Sequence, residues 1–170
     1  MNKKMSAMGV RTVGATTVGL LLTSQICVAQ LVNENLLTNL PEGYQIGYQN
    51  RNDKELISEM MPRNETVENW TEMVTVQIFF GQKMGAAQFK ARMEKLWLAS
   101  CPGGEPRSVN DGPERGYATA TWVLACPLNP ATKKPELTWF KAIQGNDSLY
   151  VVQKAFKFMP SQDQSTQWLR

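Results

Sequence analysis

The residues best suited to chemistry are five glutamates in one stretch of the chain: Glu55, Glu59, Glu65, Glu68 and Glu72. Two carboxyl groups that face each other across a cleft could serve as acid and base in a glycosidase-like site. A run of acidic residues is also typical of a solvated surface, since a catalytic carboxylate needs a pocket around it. We therefore predict no catalytic residue, and a carboxylate hydrolase acting on envelope glycans is the alternative.

The chain contains no histidine. This excludes Ser-His-Asp and Cys-His catalysis, a histidine proton shuttle and every histidine-ligated metal site. The serines lie in no S-x-x-K motif, and no glycine-rich phosphate loop is present. The sequence thus predicts no cofactor and no metal site, and it favours binding over catalysis.

The two cysteines that follow residue 30 are Cys101 and Cys126. An even number of cysteines in an oxidising compartment indicates one disulfide. A reactive thiol or a metal pair is the alternative, although zinc would need two further ligands and the spacing is not C-x-x-C. A bridge would pin the end of a long helix to the sheet and bring Trp97 and Trp122 near the sulfurs.

Residues 1–29 have the pattern of a secretory signal peptide. Lys3, Lys4 and Arg11 precede an uncharged apolar stretch, and Cys27-Val28-Ala29 places small residues at a cleavage site after Ala29. A retained membrane anchor is the alternative, but the apolar stretch is short and contains Thr, Ser and Gln. We predict a cleaved Sec-type signal peptide and a periplasmic or secreted protein with no stable membrane span.

The net charge of +3 belongs to this leader. The chain has 18 Lys and Arg against 15 Asp and Glu, and 18 − 3 leaves 15 bases facing 15 acids after the leader. A formally neutral domain gives no electrostatic support for binding nucleic acid. The expected partner is an envelope protein or a small ligand.

Residues 30–170 are predicted to form one α+β domain. A helix over residues 85–100 places Phe89, Met93, Leu96 and Trp97 on one face. Residues 105–115 read as a loop, and residues 144–148 as a tight hairpin turn in which Gly145 and Asn146 take positive φ values. We expect an antiparallel sheet of about six strands in the order β-β-β-α-β-β-β-α, with the long helix and a short C-terminal helix packed on it. Period-two alternation places the strands at 44–48, 55–61, 73–80, 117–126, 137–143 and 149–158.

Residues 68–77, ENWTEMVTVQ, and residues 143–153, IQGNDSLYVVQ, resemble segments of small, uncharacterised exported proteins of proteobacteria. The order of strands and helices, with a tryptophan in the terminal helix, also resembles PsbP-like α/β/α sandwich domains over most of residues 44–169. That resemblance implies an accessory or binding role at a membrane-associated complex. It implies no functional residue, because it includes no catalytic motif.

Overall fold

The computed structural model describes residue 34 and residues 36–168. The predicted signal peptide and its cleavage site after Ala29 lie outside these residues. The described part is built on a seven-stranded antiparallel sheet with the strand order β1-β2-β3-β7-β6-β5-β4. Its helix α1 follows β3, and its helix α2 follows β7. The elements are β1 (Tyr44–Arg51), β2 (Glu55–Pro62), β3 (Glu72–Phe80), α1 (Ala86–Ser100), β4 (Glu105–Asn110), β5 (Ala118–Cys126), β6 (Glu136–Gln144), β7 (Ser148–Phe156) and α2 (Gln162–Trp168).

The α+β class is confirmed, but the predicted count of six strands is wrong. The additional strand is β4, within the segment that the sequence predicted to be a loop. Every residue of β4 is exposed, and the strand pairs only with β5 at the edge of the sheet. An edge strand with no buried face has no alternation of apolar and polar residues, so the pattern that reveals a strand is missing.

Helix α1 covers one face of the sheet, which we call the helix face. Phe89 is buried there against Trp122, and Trp122 stacks on Phe140 with 4.9 Å between ring centroids. Met93 and Trp97 pack against the same core, whereas Leu96 is 53% exposed. The predicted helix is therefore confirmed, and three of its four predicted apolar contacts face the sheet. Aromatic and aliphatic burial of this kind supplies most of the stability of such a layer.

The opposite face of the sheet, which we call the strap face, is contacted by a segment that precedes β1 and whose described residues have no regular secondary structure. Residues 34–40, which we call the strap, precede β1 and contain no helix or strand in their described part. Leu36 packs against a cluster formed by Tyr44, Met60, Val74 and Val76. These cluster residues share one side of β1, β2 and β3, as their cross-strand register requires.

Candidate functional site

A groove lies on the strap face, and we call it the strap groove. Its volume is about 550 Å³, and it is open to solvent. The floor comes from alternate residues of β2 and β3, because period two directs all of them to the same face. Its lining is mainly apolar. Floor residues include Leu56, Met60, Val76, Ile78 and Phe80.

Three large apolar side chains are exposed at the rim of the strap groove. Leu37 of the strap is 78% exposed, Leu40 is 46% exposed, and Ile46 of β1 is 54% exposed. Single exposed aliphatic side chains are ordinary, but here two leucines and one isoleucine border one groove whose floor is also apolar. A contiguous apolar surface marks a binding site more often than singly scattered apolar residues do.

Glu34 anchors one end of the strap at the turn between β6 and β7. Its carboxylate accepts hydrogen bonds from the backbone N–H of Asn146 at 2.8 Å and from the Asn146 side-chain amide at 3.1 Å. The Tyr150 hydroxyl donates to the Glu34 carbonyl at 3.1 Å. Burial, together with the Glu34 charge, raises the pKa of Tyr150. These three bonds fix where the strap crosses the sheet.

Gly145 is needed in that turn for a reason that the sequence did not indicate. Neither Gly145 nor Asn146 has a positive φ, so the predicted backbone conformation is wrong. A Cβ atom on Gly145 would instead overlap the Glu34 carboxylate and would lie 2.7 Å from the Tyr150 ring. The glycine therefore permits the close approach of the strap.

The polar ends of the strap groove have opposite charges. Arg51 of β1 lines one end, with its guanidinium 4.9 Å from the centroid of the Phe80 ring. Glu34 and Asp147 line the other end, beside the start of β7. A guanidinium that lies over an aromatic ring is attracted by the ring face, and the N–H donors at the edge of the guanidinium stay available.

A buried charge cluster lies on the same face. The Lys154 ammonium donates to the Tyr44 hydroxyl oxygen at 2.5 Å and to the Glu72 carboxylate at 2.8 Å, and the Tyr44 hydroxyl donates to the same carboxylate at 2.7 Å. Burial alone would raise the pKa of Glu72, but the hydrogen bonds from Lys154 and Tyr44 outweigh it and lower that pKa. Burial lowers the pKa of Lys154 and raises that of Tyr44.

The structure separates the five glutamates that the sequence singled out. Glu72 belongs to the buried cluster, while Glu55 and Glu59 lie on the helix face of β2. Glu65 accepts two hydrogen bonds from Thr71, and Glu68 is exposed. The acidic residues that do line the strap groove, Glu34 and Asp147, were not among the five. Among the residues that the structure describes, no cluster of three metal-ligating side chains is found.

Cys101 and Cys126 form a disulfide with 5.9 Å between their Cα atoms. It joins the end of α1 to the end of β5, as the sequence predicted for this pair. The Trp97 indole N–H donates to the Ala125 carbonyl at 3.0 Å, so a second contact holds the same junction. The disulfide and the Trp97 hydrogen bond both hold the end of α1 against the sheet. Neither lines the strap groove.

The fold and the groove together define an α+β protein whose sheet has one helix-covered face and one grooved face. No known family model and no curated protein matches the chain. Among solved structures, the chain is similar to a mutant of the protein Mog1, with a TM-score of 0.46 and 12% identity over 76% of this chain and 74% of that chain. The resemblance to PsbP-like domains therefore stays a prediction. In the described ranges, no helix is long and apolar enough to cross a membrane.

Proposed function

We propose that this chain is an exported, non-catalytic binding protein of the bacterial envelope, and that the strap groove is its binding site. The observation that carries the binding role is a solvent-open groove with an apolar floor and three large apolar side chains exposed at its rim. Its volume of about 550 Å³ is within the usual range of about 300–1,000 Å³ for small-ligand sites. The signal-peptide pattern of residues 1–29 supports the export role.

The arrangement of carboxylates favours binding over hydrolysis. Glu72 is occupied by Lys154 and Tyr44, and Glu55 and Glu59 lie on the other face of the sheet. Within the groove, the Glu34 carboxylate is occupied by Asn146. A glycosidase needs two carboxyl groups about 5–9.5 Å apart and free to exchange protons with a substrate.

Nile red, an uncharged dye whose emission rises in apolar surroundings, tests the groove. We expect the wild-type protein to increase Nile red emission and the Ile46→Glu variant to lose most of that increase, because a charge at the rim opposes apolar binding. Ile46 is 54% exposed, so the substitution should leave the fold intact.

Val109→Glu is the matched control, since Val109 lies on the opposite edge strand and is 49% exposed. It should bind the dye as the wild type does. Equal binding by all three proteins, or no binding by the wild type, would show that the strap groove is not an apolar binding site.

A further inference from the structure

We propose that the strap groove binds a free single-chain carboxylic acid, with the carboxylate against Arg51 and the alkyl chain across the floor of the groove. This inference rests on the proposed function, because it requires that the groove be a binding site. It adds the chemical class of the ligand and the direction in which the ligand lies.

The charge at the β1 end of the groove is available to a ligand. Arg51 is exposed, and within the described part of the chain its guanidinium forms no ion pair. Its position over the Phe80 ring limits its motion. A guanidinium carries several N–H donors in a fixed fork that matches the two oxygens of a carboxylate. Charge complementarity at this end therefore selects an anion.

Two further polar side chains lie beside this charge. Gln49 and Ser58 are cross-strand neighbours that line the groove one row away from Arg51 and Leu56. Ser58 is 7% exposed. A hydroxyl in this position can donate to a bound oxygen, so it adds a second donor next to the guanidinium.

The remainder of the groove suits an alkyl chain. Phe80 lies under the Arg51 guanidinium, and Leu56 and Ile78 form the adjacent floor. Leu40 and Ile46 border it. Burial of the methylene groups of a ligand against this floor favours binding. Apolar contact thus extends directly from the cationic end, which is the arrangement that an amphiphile with one anionic head requires.

The far end of the groove excludes a second anion. Asp147 and Glu34 line the groove beside the start of β7, where Ser148 is the cross-strand neighbour of Phe80. Their negative charge repels a carboxylate there, because like charges oppose each other in a partly desolvated groove. The groove therefore offers a carboxylate a favourable contact at Arg51 and none beside β7.

Three amphiphiles with the same chain and different heads test this inference: dodecanoate, dodecanol and dodecyltrimethylammonium, each titrated calorimetrically below the concentration at which it forms micelles. We expect the wild type to bind dodecanoate most tightly. In Arg51→Gln, dodecanoate binding should weaken by about tenfold or more, as expected for the loss of charge-assisted hydrogen bonds. Dodecanol binding should not change. An unchanged dodecanol affinity would show that the variant is folded and that its groove is intact.

Arg107→Gln is the matched control, since Arg107 is an exposed arginine on the opposite edge strand. It should bind all three amphiphiles as the wild type does. If dodecanoate and dodecanol bind equally, or if Arg51→Gln leaves dodecanoate binding unchanged, the inference is wrong although the groove is a binding site. If no amphiphile and no Nile red binds, the proposed function itself is wrong.

Discussion

Lys154 places an ammonium group inside the sheet, where 7% of its surface is exposed. A buried charge is tolerated when it is paired and hydrogen-bonded, and Glu72 and Tyr44 meet both conditions. The three residues come from β1, β3 and β7, so the cluster connects the first strand of the chain to the last. Its role is structural, because the Glu72 carboxylate is already occupied from two sides.

We expect Glu72→Gln to lower the free energy of unfolding by about 2 kcal/mol near neutral pH, since hydrogen bonds to a charged partner contribute about 1.5–3 kcal/mol. The pKa of Glu72 is lowered in the folded protein. Its contribution is therefore fully present above the unfolded glutamate pKa of about 4.3 and is lost as the pH falls through the folded pKa. Urea unfolding of both proteins at about pH 7 and about pH 3 should show the difference shrinking in acid.

Glu59→Gln is the control for this measurement, because burial raises the pKa of Glu59. A raised carboxyl pKa means that the folded state disfavours the ionised form, so removing the charge should cost nothing at neutral pH. A loss of stability in Glu59→Gln equal to that in Glu72→Gln would contradict the assignment of the effect to the buried cluster.

At the scale of elements, the junction between α1 and β5 determines how firmly the helix is held. Helix α1 contacts the sheet mainly through β5 and β6, and its far end is fixed by the Cys101–Cys126 disulfide and by the Trp97 hydrogen bond to Ala125. Gly103, with φ of 78°, turns the chain from the helix into β4. The bridge therefore closes the loop that contains β4.

Reduction of this disulfide should lower the stability by about 3.5 kcal/mol, from the entropy of closing a loop whose ends are 25 residues apart. For a domain of this size, that corresponds to a fall in melting temperature of about 10 °C. Calorimetry with and without a reductant measures it. The Cys101→Ser/Cys126→Ser double variant should melt near the reduced wild type and should not respond to reductant. If mass spectrometry found two free thiols in protein prepared without a reductant, the disulfide would be contradicted.

The strands and the helix that bury apolar residues could be predicted from the sequence, because burial imposes a period on the residues that are buried. Strand β3, with Val74, Val76 and Ile78 on one face, is an example. Strand β4 could not be predicted, since all of its residues are exposed and its contacts, the pairing with β5 and the Lys90 hydrogen bond to Ser108, impose no apolar period. The sheet order could not be predicted either, because β3 pairs with β7 across a long intervening segment.

The candidate site was missed for a related reason. Glu34 meets Asn146 across 112 residues, and Lys154 meets Glu72 across 82. No local pattern records such contacts, and a groove exists only once the strap and the strands are brought together. The one sequence signal was the glycine of the turn between β6 and β7, but the reason assigned to it, a positive φ, was not the reason that the structure shows.

At the scale of the whole molecule, the charge distribution is consistent with an exported binding protein. The excess positive charge precedes residue 30, and 15 bases balance 15 acids after it. Within the described part, the open edges of the sheet, β1 and β4, both contain bulges, and β4 also contains Pro106. Such features hinder edge-to-edge association, so the strap groove rather than a sheet edge is the expected binding surface.

Release of the exported protein requires that residues 1–29 act as a signal peptide and be removed. Expressed in a bacterium, the wild-type protein should be released by osmotic shock, and mass spectrometry should give a chain that begins at Gln30. Ala29→Arg should accumulate as a longer precursor in the membrane fraction, because a bulky charge at the position before the cleavage site prevents processing. Ala15→Ser, a small change within the leader, is the control and should be processed normally. A released protein that still carries its first 29 residues would contradict the cleavage prediction, and a full-length chain held in the membrane would support the anchor instead.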